Sequence, residues 1–342
     1  MRYRETSLIG TATADLCGLA LALLVALTPT DRQAWAANPL ESLVGVRATI
    51  PADARTAKTL GQERAGSGVV IDDDGLVLTI GYLIMESDGT EILLPDGRSV
   101  AAEVIAYDYD SGFGLLRPLS PLGIAPVSFG VSDSLSERDR VLAASYNVDD
   151  EGGRVETTPA IVVSRRDFAG YWEYLLPQAI FTSPPHSGYG GAALFGPEGR
   201  LLGIGSLYVG DAAGEDRALP GNMFVPIDAL KPIYQDLLRI GRSGAPARPW
   251  LGLFGETHRG RVFVSRVAPE GPAASAGVRT DDIVIAVAGE AISGLDDFYR
   301  KVWALGDAGV DVPLTLLGRD GMKDLQVRSA DRYDYLKLQP TY

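Results

Sequence analysis

Two histidines, one cysteine and a glycine-rich loop hold most of the reactive chemistry this chain offers. The loop reads "PPHSGYGGAALFG" over residues 184 to 196 and sets His186 beside Ser187. A base next to a hydroxyl is what acyl transfer uses. Neighbours in sequence rarely present a base in line with a hydroxyl, however, and no third group that would orient the imidazole is evident. The plainer reading makes both of them loop polar residues. The second histidine, His258, lies far along the chain, and the single cysteine is Cys17. Two distant histidines match no recognised ligand spacing, so neither a metal nor any other cofactor is expected. Gly188, Gly190 and Gly191 let the loop take a tight turn whose amides can form an oxyanion hole. Gly188 and Gly190 are therefore candidates for an anion or carbonyl site, beside the blander reading that the glycines only satisfy the turn.

The elements that must position these groups read as β-structure. Glycine is abundant, at 40 of 342 residues, which suits short strands and tight turns. From Gly66 to Leu116 short apolar runs alternate with turn signals. "SGVVIDDDGLVLTI" is strand, Asp-Gly turn, strand, and "TEILLPDGRSVAAEVIAYD" repeats the device through Asp96 and Gly97. A second block runs from Arg140 to Val209, where "GAALFGPEGRLLGIGSL" again sets a Gly-Pro-Glu-Gly turn between strands. Two successive all-β blocks predict two barrels side by side. After Pro226 the period changes. "IDALKPIYQDLLRIG" spaces Leu230, Ile233, Tyr234, Leu237 and Leu238 as on one helix face, and Gly241 stops the helix. A linker over 241–248 and a small α+β module over 249–333 follow, the latter containing the helix-like "LDDFYRKVWAL". Residues 334–342 are read as a tail.

Composition is that of an ordinary soluble protein, and a net charge of −13 argues against nucleic acid, because a phosphate-tracking surface needs clustered Lys and Arg. Residues 1–36 read as an export signal: Arg2 and Arg4, the apolar run "LCGLALALLVAL", then Ala34, Trp35 and Ala36 as an A-x-A cleavage site before Ala37. That run is short for a bilayer span, so a periplasmic protein is expected, with an uncleaved anchor as the alternative. Cleavage would remove Cys17 and leave no thiol.

The motifs together resemble the HtrA (DegP-like) periplasmic serine proteases: a trypsin-like double barrel over 37–240, a linking helix and a PDZ domain. "GSGVVIDDDGLVLT" is similar to the family's entry into the first barrel, "LPDGR" follows at the right distance, and "GGAALFGPEGRLLGI" is similar to the stretch after the nucleophile. The resemblance implies a histidine base, an orienting aspartate and a nucleophilic serine. At those positions this chain has Tyr82, Gly112 and Gly190. One observation needs no alignment: neither His186 nor His258 lies in the first barrel, which must supply the base. A tyrosine with an ordinary pKa near 10 stays protonated at neutral pH, and Asp108 and Asp110 have no imidazole to orient. The expected reading is a pseudoprotease without catalytic residues.

The PDZ resemblance is fuller. "RPWLGLFG" supplies Leu251, Gly252 and Leu253, where such domains hold a peptide's terminal carboxylate on loop amides. "VAPEGPAASAGVRTDDIVIAVAGEAI" follows the bacterial pattern, except that Asp281 replaces the usual glycine, a left-handed position aspartate tolerates. A helix from Leu295 to Trp303 would wall the groove, with Phe298 and Val302 either lining it or packing in the core. The expected function is binding of peptides or protein C-termini, as scaffold, regulator or subunit of an envelope complex. The alternatives are an endopeptidase with unconventional catalysis and a structural subunit with a vestigial groove. The resemblance also implies a homo-oligomer, commonly a trimer held by aromatics ahead of the first barrel, but residues 37–81 contain no Phe, Tyr or Trp.

Overall fold

The computed structural model describes residues 38–147, 153–214, 217–336 and 338. The expected export signal and its cleavage site lie outside the described residues. Among those described, no helix is long and apolar enough to cross a membrane.

Six strands close the first barrel: β1 (Leu43–Thr49), β2 (Glu63–Val70), β3 (Val77–Ile80), β4 (Gly89–Leu93), β5 (Ser99–Tyr107) and β6 (Phe113–Pro118), in the order β1-β2-β3-β6-β5-β4. A short helix, α1 (Ala57–Leu60), sits between β1 and β2. The turn chemistry is local. The Asp72 carboxylate accepts the Leu76 N–H at 2.8 Å, and Gly75 takes φ 83°. Gly97 closes the second hairpin at φ 85°, its N–H donating to the Leu94 carbonyl at 2.9 Å. Only glycine adopts such left-handed angles cheaply.

The second barrel repeats the plan with β7 (Arg140–Asn147), β8 (Arg154–Gly170), β9 (Tyr174–Ser183), β10 (Ala193–Phe195), β11 (Leu201–Val209) and β12 (Gly221–Pro226), in the order β10-β11-β12-β9-β8-β7. One core cluster runs through both barrels, from Val46 and Phe113 to Phe181 and Phe195. The strand β8 is 17 residues long and bulged twice against β9. Bulges add twist and bend a strand. The β8–β9 hairpin tip, residues 171–173, meets the C-terminal module.

Helix α2 (Tyr234–Ile240) is shorter than the apolar spacing predicts. Pro232 disfavours α geometry in the residue before it, so a 3-10 turn (Ile227–Ala229) precedes and the α-helix starts after it. Gly241 ends it at φ 74°, its N–H donating to the Leu237 carbonyl. Trp250 and Ala330 then exchange backbone hydrogen bonds at 3.0 Å in both directions. The module between them is a sheet in the order β13 (Leu253–His258), β14 (Arg261–Val267), β15 (Ile283–Val287), β17 (Asp311–Gly318), β18 (Gly321–Arg328), with β16 (Glu290–Ala291) paired to β15. Helices α3 (Pro272–Ser275), α4 (Leu295–Trp303) and α5 (Arg332–Tyr335) complete it. Asp281 takes φ 72°.

The barrels meet at the glycine-rich loop. The Ser67 N–H donates to the Gly190 carbonyl at 2.9 Å. Gly191 stands at φ 75°, and a Cβ there would lie 2.0 Å from the Ser67 carbonyl oxygen. Both angle and space therefore demand glycine. Gly191→Ala is expected to destabilise the chain by about 2 kcal/mol or more, the sum of a left-handed alanine and a displaced backbone. Thermal unfolding checks this through a Tm lowered by several degrees.

Candidate functional site

The loop between β9 and β10 meets the turn after β3 in a cleft between the barrels, lined by Ser67, Tyr82, Leu83, Gly188, Tyr189 and Gly190 among others. Tyr82 stands in the turn that leaves β3. Its hydroxyl donates to the Ser206 carbonyl at 3.0 Å, and burial pushes the phenol well above its ordinary value. A Cβ built on Gly190 would lie 2.9 Å from that hydroxyl. Gly112 sits ahead of β6 at φ 87°, its N–H on the Asp108 carbonyl and its own carbonyl accepting from Gly81. The nearby carboxylates point elsewhere. Asp108 accepts from the Ser111 N–H and hydroxyl, and Asp110 pairs with Arg248 at 3.3 Å. Burial holds the Asp110 carboxyl up at about 6 in spite of that arginine.

His186 does not address Ser187, which is exposed. Its ring is buried, with Nε2 on the Ser145 hydroxyl at 2.8 Å and Nδ1 on the Thr158 hydroxyl at 2.9 Å. Burial depresses its pKa, so it is neutral. Its backbone is held by Asn222, whose Oδ1 accepts the His186 N–H at 2.6 Å. Ser145 is 1% exposed and lies against Gly188. This histidine braces the loop from within the second barrel. His258 ends β13, remote from the cleft. Among the described residues, no group of acidic, histidine or cysteine side chains is arranged to hold a metal.

The second candidate is the loop that opens the C-terminal module. The amides of Leu251, Gly252 and Leu253 converge as the terminal-carboxylate reading requires, and they already hold a carboxylate. Glu173, at the β8–β9 tip, accepts from Leu251 N–H at 2.9 Å on Oε2 and from Gly252 and Leu253 N–H at 2.7 and 2.8 Å on Oε1. It is 5% exposed and adopts φ 58°. Burial pushes its carboxyl up to about 7, against the opposing pull of the three amides and the Arg332 charge. The Tyr299 hydroxyl on α4 accepts the Glu173 N–H at 3.0 Å and donates to the Gly170 carbonyl at 2.7 Å. Phe298 and Val302, the expected wall residues, are 2% and 1% exposed and belong to the module's core with Tyr299.

The comparisons with known proteins fit this geometry. Residues 66–204 match the trypsin-like peptidase domain family and residues 263–312 the PDZ domain family. A probable periplasmic serine protease do/HhoA-like of Haemophilus influenzae is 28% identical over 276 residues, 75% of this chain and 56% of that protein. The periplasmic serine endoprotease DegP of Escherichia coli is 28% identical over 288 residues, 79% of this chain and 58% of that protein. The chain is similar to HtrA/DegP-like proteins across both of these domains. It spans a little over half the length of these relatives. The fold likewise matches a serine endoprotease from Yersinia pestis at a TM-score of 0.52, with 22% identity over 90% of this chain and 99% of the other.

As an HtrA-like double barrel, the chain brings Tyr82 and Gly190 to one cleft, with Gly112 behind them on the first barrel. Sequence reading missed Glu173, Tyr299, Ser145 and Thr158. Glu173 lies 78 positions from Leu251, and no local pattern marks a single glutamate in "YWEY" as a partner of distant amides. The crowding at Gly190 yields a test. Gly190→Ser on its own is expected to cost about 1 kcal/mol by pressing on the Tyr82 hydroxyl and to gain no label from a serine-directed fluorophosphonate, because no base faces it. Gel fluorescence and thermal unfolding of the variant report both.

Proposed function

We propose that this chain is an exported, non-catalytic HtrA-like protein that binds peptides or protein C-termini through its PDZ domain, as scaffold, regulator or subunit of an envelope complex. The observation that carries the proposal is the pairing of Tyr82 with Ser206 beside Gly190. Where the family's chemistry needs a base and a nucleophile, a half-buried phenol donates its proton to a carbonyl and the facing residue has no side chain. Losing triad members costs roughly a million-fold in rate, leaving only binding and oxyanion effects. Gly188 and Gly190 still line the cleft, which supports a surviving carbonyl or anion site there but supplies no nucleophile. The PDZ loop, by contrast, keeps three convergent amides.

The purified chain is expected to digest no fluorogenic casein and to take no fluorophosphonate label. Digestion or labelling that disappears in Ser145→Ala or Ser187→Ala would establish an unconventional nucleophile and reverse the proposal.

Export rests on the composition of residues 1–36 and on the periplasmic names of the relatives. Mass spectrometry of the native protein is expected to find Ala37 as the first residue in the soluble envelope fraction. Retention of Leu16 to Leu27 in membranes would mean an anchor.

A further inference from the structure

Three amides aimed at one point form a receptor for a carboxylate, and in this molecule the occupant is a side chain of the same polypeptide. The match extends beyond Glu173. The Gly255 N–H on β13 donates to the Tyr171 carbonyl at 2.9 Å, the backbone bond that an added strand makes with a sheet edge. Tyr299 on α4 closes the other side through both Gly170 and Glu173. Leu175, just past the tip, is buried in the PDZ core cluster, with Ala169 packed against it. Outside the groove, Asp167 pairs with Arg300 at 2.5 Å, and Arg332 donates to the Trp172 carbonyl at 3.1 Å.

These contacts imitate a bound peptide piece by piece: a carboxylate on the loop amides, a carbonyl on the edge strand and an apolar side chain in the core. Glu173 is held at φ 58° to deliver its carboxylate, a conformation unfavourable for a residue with a Cβ and retained where surroundings enforce it. A glutamate taken 95% out of water without these donors would be costly. The hairpin tip and the loop therefore complete each other.

We propose that the β8–β9 hairpin tip is the PDZ domain's own ligand, with the Glu173 carboxylate seated where a C-terminal carboxylate binds, so that an outside peptide binds only by displacing the hairpin. This rests on the peptide-binding reading for its consequence, and the occupancy of the loop can be measured apart from it. An apparent affinity falls in proportion to the fraction of molecules with the groove vacant.

The test uses the full chain and Glu173→Gly, which removes the carboxylate while suiting the left-handed backbone. Hydrogen exchange of the Leu251, Gly252 and Leu253 amides is expected to be slow in the parent and at least about tenfold faster in the variant, with β17 unchanged. A library of fluorescein-labelled octapeptides, randomised at the last three positions and ending in a free carboxylate, is expected to bind the variant about tenfold or more tightly than the parent. The C-terminally amidated library should lose that gain. Tyr299→Phe, which keeps Glu173 but loosens the tip, should fall between the two. Equal exchange of the three amides in parent and variant, or measurable peptide binding of equal affinity in the two, would overturn the inference. Amides released by the variant with no library member bound by either protein would sustain the internal ligand and refute peptide binding as the function.

Discussion

A carboxylate withdrawn from water must be met by donors, and at Glu173 the donors belong to a different domain. Three backbone amides supply what the second barrel cannot. Much of the architecture serves to bring the two together. The strand β8 runs on to Gly170, bent by its bulges, so that its tip reaches past the barrel. Tyr299 sits one turn into α4, where its hydroxyl bridges both sides of that tip. Charge-assisted bonds of this kind contribute on the order of 1.5–3 kcal/mol each, but the burial that raises the carboxyl toward about 7 opposes them. The net is a joint that is specific without being irreversible. Removing either half leaves the other unsatisfied, which is the larger energetic effect.

The cleft between the barrels obeys a different constraint. Its glycines persist because backbone approaches backbone there. Gly191 passes 2.0 Å from the Ser67 carbonyl, measured from where its Cβ would be, and Gly190 lends its own carbonyl to the Ser67 amide. These requirements are mechanical and survive without chemistry. A glycine-rich nucleophile loop can thus be kept for joining barrels. His186 fits the same account, since its ring, neutral and buried between Ser145 and Thr158, stiffens the loop from behind.

How far the sequence led follows from the range of each interaction. The hairpins were readable because Asp72 with Gly75, and Asp96 with Gly97, settle their turns within a few residues. The first barrel is legible in those turns, the second in its Gly-Pro-Glu-Gly turn, and the α+β module in the helix-like "LDDFYRKVWAL" set among strands. Apolar spacing alone overextends α2, because Pro232 disfavours the α geometry that the spacing implies just before it. The missing imidazole of the first barrel was visible by simple counting. The occupant of the PDZ loop was not. Leu251 to Leu253 announce a carboxylate receptor through the local conformation they adopt, while their partner is fixed only by tertiary packing. Tyr299 was hidden for a related reason: its neighbours Phe298 and Val302 share the helix, and a pattern of apolar residues does not tell which one turns a polar atom toward the groove.

An internal ligand also changes what affinity means for this groove. A tethered segment meets its receptor at an effective concentration on the order of millimolar when the span suits it. Here no flexible linker intervenes, because Gly170 and Tyr174 pair directly across the hairpin. An outside peptide of micromolar intrinsic affinity, roughly −8 kcal/mol, therefore competes with an occupant already in place and already ordered. Peptides gain only to the extent that they offer what the hairpin lacks. A chain terminus brings its carboxylate on extended backbone, without the left-handed conformation Glu173 must hold. Leu175 is buried with the core residues of the module, so a peptide that displaces the tip also has to replace that contact. Strain in the occupant and space freed by its departure are the two terms that would decide selectivity, and both are set by the second barrel rather than by the PDZ domain.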